Sequence, residues 1–324
     1  MTTRREVLTG IASLAMTGWA SAQERPRRMA YLVGNTPAGN APYRAVLFQE
    51  LAKLGYHEGS NLLVEQRFAD GRFDRLPALA AELVALKPDI MFVAGSQGAL
   101  SASKTTRTIP IVFVAVSDPV GMGIIRALRQ PGTNATGLSS QADEFGIKLL
   151  QLLKEAFPSA SRVAVLADPL NQPLIQMLPR LRQAGAMLNV KLRVIEARSP
   201  EDLVAAFKVL KSERFDVLYV LAAAFFSTRR DQIIALANSQ RQVAVYGLTE
   251  FADAGGLMSY SFSLIEQYRS AATFIDKILK GANPAELPVE QPTRFELVLN
   301  LKTAKAQGVS FPPAILLRAD RVIE

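Results

Sequence analysis

Four apolar, strand-like runs follow one another in the first half of this 324-residue chain, and four similar runs follow in the same order in the second. Arg28-Met29-Ala30-Tyr31-Leu32-Val33 corresponds to Arg162-Val163-Ala164-Val165-Leu166-Ala167. Leu62-Leu63-Val64-Glu65-Gln66-Arg67 corresponds to Leu192-Arg193-Val194-Ile195-Glu196-Ala197. Pro88-Asp89-Ile90-Met91-Phe92-Val93 matches Phe215-Asp216-Val217-Leu218-Tyr219-Val220, and residues 111–118 (IVFVAVSD) match residues 243–250 (VAVYGLTE). The strand-like runs are 29–33, 62–68, 90–94, 111–116, 163–167, 191–195, 217–222 and 243–248. Between them, residues 43–54, 75–86, 173–184 and 201–210 carry apolar side chains at helical spacing. Short apolar runs alternating with amphipathic helices specify an α/β fold. The prediction is two similar doubly wound parallel-sheet lobes, each a βαβαβαβ unit with right-handed crossovers.

In such sheets a ligand sits beyond the carboxyl ends of the strands. Two lobes facing each other would gather Ser96, Ser117, Asp118, Phe225, Thr249 and Glu250 around one cleft, with Ser117-Asp118 opposite Thr249-Glu250. Ser96 lies in Ala94-Gly95-Ser96-Gln97-Gly98, a relaxed form of the Gly-x-Ser-x-Gly elbow that presents a hydrolase nucleophile. A serine nucleophile needs a base, normally a histidine later in the chain, whereas the single histidine, His57, precedes Ser96 in a turn-like Gly55-Tyr56-His57-Glu58-Gly59. Nothing places a lysine near the elbow either. The other roles for Ser96 are a helix cap and an anion site at the helix N-terminus, where unpaired N–H groups and the helix dipole favour a carboxylate. Asp118 ends its strand before Pro119 and reads equally as an ammonium partner or a turn cap. Phe225-Phe226 reads as a stacking surface or as core. Asn35 and Thr36 end the first run, Asp168 and Asn171 its partner, each a cleft residue or a turn residue. Tyr43, Phe251 and Tyr260 are weaker aromatic candidates. Gly121-Met122-Gly123 is no dinucleotide fingerprint, because Arg126 stands where the third glycine belongs.

The absence of cysteine, with only one histidine, excludes a Cys/His zinc site and any disulfide or thiol chemistry. The formal charge of +8 comes without a Lys/Arg cluster interleaved with aromatics, so no nucleic-acid partner is implied. No metal and no cofactor is expected.

Residues 1–22 read as an export signal, Arg4-Arg5 preceding an apolar stretch over residues 10–19 and Ala20-Ser21-Ala22 offering a cleavage site. The arginine pair resembles a twin-arginine signal, with Val7 for the usual Phe and Thr9 for the usual Lys; an ordinary secretion signal is the other reading. The stretch is too short for a stable span, and no cysteine follows to carry a lipid. The expected location is the periplasm, with the signal removed.

Several motifs converge: Leu54-Gly55-Tyr56-x-Glu58-Gly59, Gly71-x-x-Asp74-Arg75-Leu76-Pro77, Ile109-Pro110-Ile111-Val112-Phe113 and Ser117-Asp118-Pro119-Val120. Pro131-Gly132-x-Asn134-x-Thr136-Gly137 and the closing run from Phe295 to Ala304 (FELVLNLKTA) extend them over nearly the whole mature chain. By these motifs the chain resembles the substrate-binding proteins of ABC transporters, in the group taking up aromatic or other amino acids. That resemblance implies the type I periplasmic-binding fold, with lobes of residues 28–139 plus 262–285 and 140–261 plus 286–324. Three crossovers would join them at residues 136–140, 258–263 and around 285–289. It further implies a small-molecule ligand between the lobes and an inner-membrane permease with its ATPase as partner. Ser96 would take a carboxylate, Ser117 with Asp118 an ammonium, and Phe225 the side chain; Asn35, Gln97, Asn171, Thr249, Glu250 and Tyr260 complete the expected site. Many relatives carry a Thr-rich turn where this chain has Gly95-Ser96-Gln97-Gly98, so Gln97 and the Phe225-Phe226 pair point to a ligand of its own. The expected function is thus a solute receptor without chemistry. The alternatives are a sensing module for a membrane receptor and a serine hydrolase using Ser96.

Overall fold

A computed structural model of the chain describes residues 25–140 and 142–324; the export signal read in residues 1–22 lies outside them. The first half runs β1 (Arg27–Val33), α1 (Pro37–Lys53), β2 (Leu62–Phe68), α2 (Leu76–Ala85), β3 (Ile90–Ala94), α3 (Ser96–Thr105), β4 (Ile111–Val116) and β5 (Ala135–Ser139). The second runs α4 (Ala142–Ala156), β6 (Arg162–Ala167), α5 (Gln172–Met187), β7 (Lys191–Glu196), α6 (Pro200–Glu213), β8 (Val217–Val220), α7 (Ala224–Thr228), α8 (Arg230–Ser239), β9 (Ala244–Tyr246), α9 (Glu250–Asp253) and β10 (Met258–Phe262). Then come α10 (Leu264–Leu279), β11 (Phe295–Asn300), α11 (Leu301–Gln307), α12 (Pro313–Leu316) and β12 (Arg321–Ile323).

One sheet has the strand order β2-β1-β3-β4-β5, all parallel. The other is β12-β11-β10-β9-β8-β6-β7, antiparallel only between β10 and β11. Its β7-β6-β8-β9-β10 portion repeats the first sheet's order strand for strand, so the sequence duplication is a structural one.

The pleat explains why both faces are apolar. Along β1, Met29, Tyr31 and Val33 face one cluster that includes Leu47 of α1 and Ile275 of α10, while Ala30 and Leu32 face another that includes Leu79 of α2 and Ala99 of α3. Buried strands of this kind read as continuous hydrophobic runs, which is what made them legible. The second sheet has a single large cluster around Val165, Tyr219 and Val245.

Helix starts are locally specified. Thr36 caps α1 by accepting from the Gly39 N–H at 3.0 Å, ahead of Pro37, which has no N–H to lose at the first helical position. Behind α1, buried Asn40 accepts from the Tyr31 hydroxyl and donates to the Tyr268 hydroxyl at 2.9 Å, tying β1, α1 and α10 together. Helix α10 follows β10 of the second sheet yet packs on α1 and the first sheet. The chain thus passes between the sheets three times: after β5, between β10 and α10, and through residues 287–294. There Thr136 Oγ1 donates to the Leu287 carbonyl at 2.7 Å and Glu290 bridges to Leu138.

Registers make the strand ends flush. Val33 pairs with Ala94, and Ala94 with Val114; in the other sheet Leu166 pairs with Val220, and Val220 with Tyr246. Strands β8 and β9 stop short of the expected residues 222 and 248. Only Leu221 N and Gly247 N extend the ladder, to the Leu166 and Val220 carbonyls, before the chain turns along the cleft.

Candidate functional site

Between the flush strand ends lies a cleft of about 850 Å³, counting its open mouth. One wall is Gly34-Asn35 after β1, Gly95 to Gly98 after β3, and Ala115 and Ser117 on β4 and its end; the other is Asn171 after β6, Ala222 to Ala224 after β8, and Leu248 and Glu250 after β9. Phe73, Leu76, Phe262 and Leu264 supply apolar lining.

Ser96 is the first residue of α3, a helix of 10 residues, and only 5% exposed. Gly95 before it sits at φ +88°, a conformation glycine adopts without penalty. Ser96 Oγ accepts from the Ser117 N–H at 3.0 Å and donates to Ser117 Oγ at 3.4 Å. The Ser117 hydroxyl, the first-turn N–H groups of α3 and the Asn35 side-chain amide are donors on this wall. His57 is exposed in its turn, its N–H donating to Asn61 Oδ1 at 2.7 Å, and does not line the cleft. The elbow therefore has no imidazole beside it.

Ala115 has φ +56°, costly for a residue with a Cβ. It stands where the β4–β5 register slips between Phe113 and Val116, and its N–H donates to Gln267 Oε1 at 2.8 Å. Gln267 also donates to the Ser139 carbonyl at 2.8 Å, so α10 fixes both the bulge and the end of β5.

Among the described residues two side-chain hydrogen bonds cross the cleft. Gln97 Nε2 donates to the Leu170 carbonyl at 2.8 Å. The Tyr43 hydroxyl, from α1, donates to Glu250 Oε2, while the Ser227 hydroxyl donates to Glu250 Oε1 from the same side as Glu250. Burial, and then the Glu250 carboxylate, push the Tyr43 phenol far above its ordinary ionisation range, so it stays a donor. Glu250 is the one carboxylate among the described lining residues, and no lysine, arginine or histidine lines the cleft with it. Arg229 and Arg230 stand at the mouth, with Asn35, Ser227 and Glu250. Among the described residues no group of three or more His, Cys, Asp or Glu could hold a metal ion.

The expected residues divide. Asn35, Ser96, Gln97, Ser117, Asn171 and Glu250 line this cleft together; Asp118, Phe225, Thr249 and Tyr260 do not. Asp118 is exposed, its Oδ1 accepting from the Gly121 N–H at 2.8 Å: the tight turn after Pro119 claims the carboxylate first. Phe225 is core, packed on Phe226 with ring centroids 5.5 Å apart, because the chain after β8 coils into α7 and turns both rings inward. Thr249 precedes α9, its carbonyl accepting from the Ala252 N–H. Tyr260 stacks on Phe295 with ring centroids 5.7 Å apart; it lies on the same face of β10 as Phe262 but two residues back from the strand end that reaches the cleft. Sequence reasoning gave Tyr43 little weight and omitted Asn40, Ser227 and Phe73. The Gly71-to-Pro77 motif was the available signal for Phe73, whose ring lies so close to Gly34 that a Cβ there would be 2.6 Å from Cε1.

Residues 40–323 match the family model described as ABC transporter substrate binding protein. A protein of Clostridioides difficile (strain R20291) named tyrosine-binding protein is 23% identical over 257 residues, which span 79% of this chain and 73% of that protein. Among solved structures, a conserved domain protein from Vibrio cholerae O1 biovar El Tor has a TM-score of 0.84 at 27% identity, covering 92% of this chain and 100% of that one. An ABC domain from Streptococcus pneumonia in complex with L-Trp has a TM-score of 0.82 at 20% identity, with the same coverage.

Proposed function

From the premise that this chain belongs to the ABC transporter substrate-binding protein family, with two parallel-sheet lobes of the type I periplasmic-binding kind, we propose that it is an exported receptor for a free amino acid. It closes on the amino acid between its lobes and delivers it, in the periplasm, to an ABC permease and its ATPase. The observation that carries the reading is Glu250: a carboxylate held by a donor from each side of the cleft, with no cationic side chain among the described lining residues. Such a site asks for a ligand that brings its own positive charge. The opposite wall offers the complement, since the Ser117 hydroxyl and the N-terminus of α3 favour an anion. An α-ammonium at Glu250 and an α-carboxylate at Ser96-Ser117 would join the two walls, which is how a ligand stabilises a closed form.

The apolar lining, with Tyr43 and Tyr268 rings 5.4 Å apart and Phe73 across Gly34, suits a bulky side chain. The names of the Clostridioides and Streptococcus proteins, which mention tyrosine and L-Trp, favour an aromatic one.

Calorimetry of the mature protein against the amino acids tests this. At least one aromatic amino acid should bind, and Glu250→Gln should weaken it about ten- to hundredfold, the cost of about 1.5–3 kcal/mol for losing a hydrogen bond to a charged group. Failure of every amino acid to bind, or a Glu250→Gln protein as tight as wild type, would overturn the reading.

A further inference from the structure

We propose that the side-chain carbonyl of Asn171 accepts a hydrogen bond from an N–H or O–H of the bound solute, making Asn171 a specificity-determining residue; this rests on the amino-acid reading above. Asn171 stands before α5, at the end of the turn that follows β6, and is only 8% exposed. Its backbone is committed: the N–H donates to the Asp168 carbonyl and its own carbonyl accepts from the Ile175 N–H, both at 3.1 Å. The turn is pinned twice more. The Leu170 N–H donates to Asp168 Oδ1 at 2.9 Å, and the Leu170 carbonyl accepts from Gln97 Nε2 across the cleft at 2.8 Å. Within this hydrogen-bonded turn Asn171 lines the cleft, yet its buried Oδ1 has no hydrogen-bond partner.

An asparagine in this position ordinarily turns its oxygen onto a first-turn N–H of its own helix. Here it makes no such bond, and Pro173, in the first turn of α5, has no N–H to offer. A buried carbonyl without a partner is costly to fold. A buried, unpartnered oxygen on a residue that lines a ligand cleft is an acceptor prepared for a donor that arrives with the ligand. Ser117 and the start of α3 present donors, whereas Glu250 and Asn171 present acceptors, one charged and one neutral. Glu250 reads positive charge; Asn171 reads a donor. A site built to hydrogen-bond a substrate N–H or O–H rejects the analogue lacking it far more strongly than an apolar pocket rejects a missing methylene.

Calorimetry on the mature wild type, Asn171→Leu and Asn171→Asp, with three matched pairs, reads this out: tyrosine and phenylalanine, tryptophan and 1-methyltryptophan, and the tightest amino acid with its N,N,N-trimethyl betaine, which keeps the charge but has no N–H. In the wild type at least one pair should favour the donor-bearing member by about tenfold or more. Asn171→Leu should reduce that preference to about threefold or less, whereas Asn171→Asp, which keeps an acceptor oxygen, should retain it. The pair affected identifies which donor is read. If Asn171→Leu does not fold, Asn171→Ala serves the same comparison. A wild type without preference in any pair, an unchanged preference in Asn171→Leu, or a loss in Asn171→Asp as great as in Asn171→Leu would each overturn the proposal. Binding of no amino acid by the wild type would instead overturn the receptor reading.

Discussion

Asp168 shows how far a side chain's fate depends on its neighbours. In the sequence it is one more acidic residue after a strand; in the fold it is 2% exposed, and burial raises its ionisation range above that of an ordinary aspartate. A carboxyl whose folded pKa is raised stabilises the protein while protonated, and that contribution is lost as pH rises past the ordinary aspartate range. Asp168→Asn keeps an acceptor for the Leu170 N–H and removes the buried charge. Unfolding followed from about pH 3 to pH 7 should find the variant gaining stability relative to wild type as pH rises. A wild type that instead gains on the variant would show that the charge is stabilising. Asp118 makes the converse point: its carboxylate is satisfied three residues away by the Gly121 N–H, within the turn that Pro119 begins. The turn signal was plain in the sequence, and local hydrogen bonding prevailed over the cleft role.

Flush strand ends and the first turn of α3 build the donor wall, and β5 holds it in place. Gly137 of β5 sits at φ +143°, and a Cβ there would lie 2.0 Å from the Phe113 carbonyl oxygen of β4. Gly137→Ala should therefore cost about 3 kcal/mol or more, read as a lowered denaturant midpoint. Gly281 provides the control: at φ +100° it has open space around it, so Gly281→Ala should cost only about 1–2 kcal/mol of backbone strain. Equal losses for the two would count against close packing of β4 on β5. Element positions were largely legible. Strands β3 and β4 begin and end where the continuous apolar runs do, because burial on both faces leaves no polar position inside them, whereas edge strand β2 carries Glu65, Gln66 and Arg67. The ends of β8 and β9 were not, since Leu221 and Gly247 make their last ladder bonds while the chain turns toward the cleft.

In the whole molecule, the two lobes touch through polar contacts that the ligand would share. Gln97 reaches the Leu170 carbonyl and Tyr43 reaches Glu250. Partly exposed hydrogen bonds of this sort contribute about 1 kcal/mol each, so closure is easily biased. Gln97→Ala and Tyr43→Phe should each weaken solute binding by about fivefold without lowering the unfolding midpoint of the free protein much. Solution scattering should show the wild type contracting when solute is added. No contraction, or full affinity in both variants, would argue that these contacts do not govern closure. At a solute concentration about 100 times Kd, binding should add about 2.7 kcal/mol to stability.

By itself the sequence determined the duplication, the parallel strands and therefore which loops face one another, because strand polarity fixes the end at which a ligand crevice opens. It also supplied the serines, Gln97, Asn171 and Glu250 at those ends. What only the tertiary structure decided was pairing across the cleft. Tyr43 and Glu250 are 207 residues apart, and no periodicity or turn signal links them. Their meeting depends on how α10 returns to the first sheet and on how three crossing segments set the lobes. That is a sum of packing contacts distributed over the chain, so no short stretch of sequence carries it.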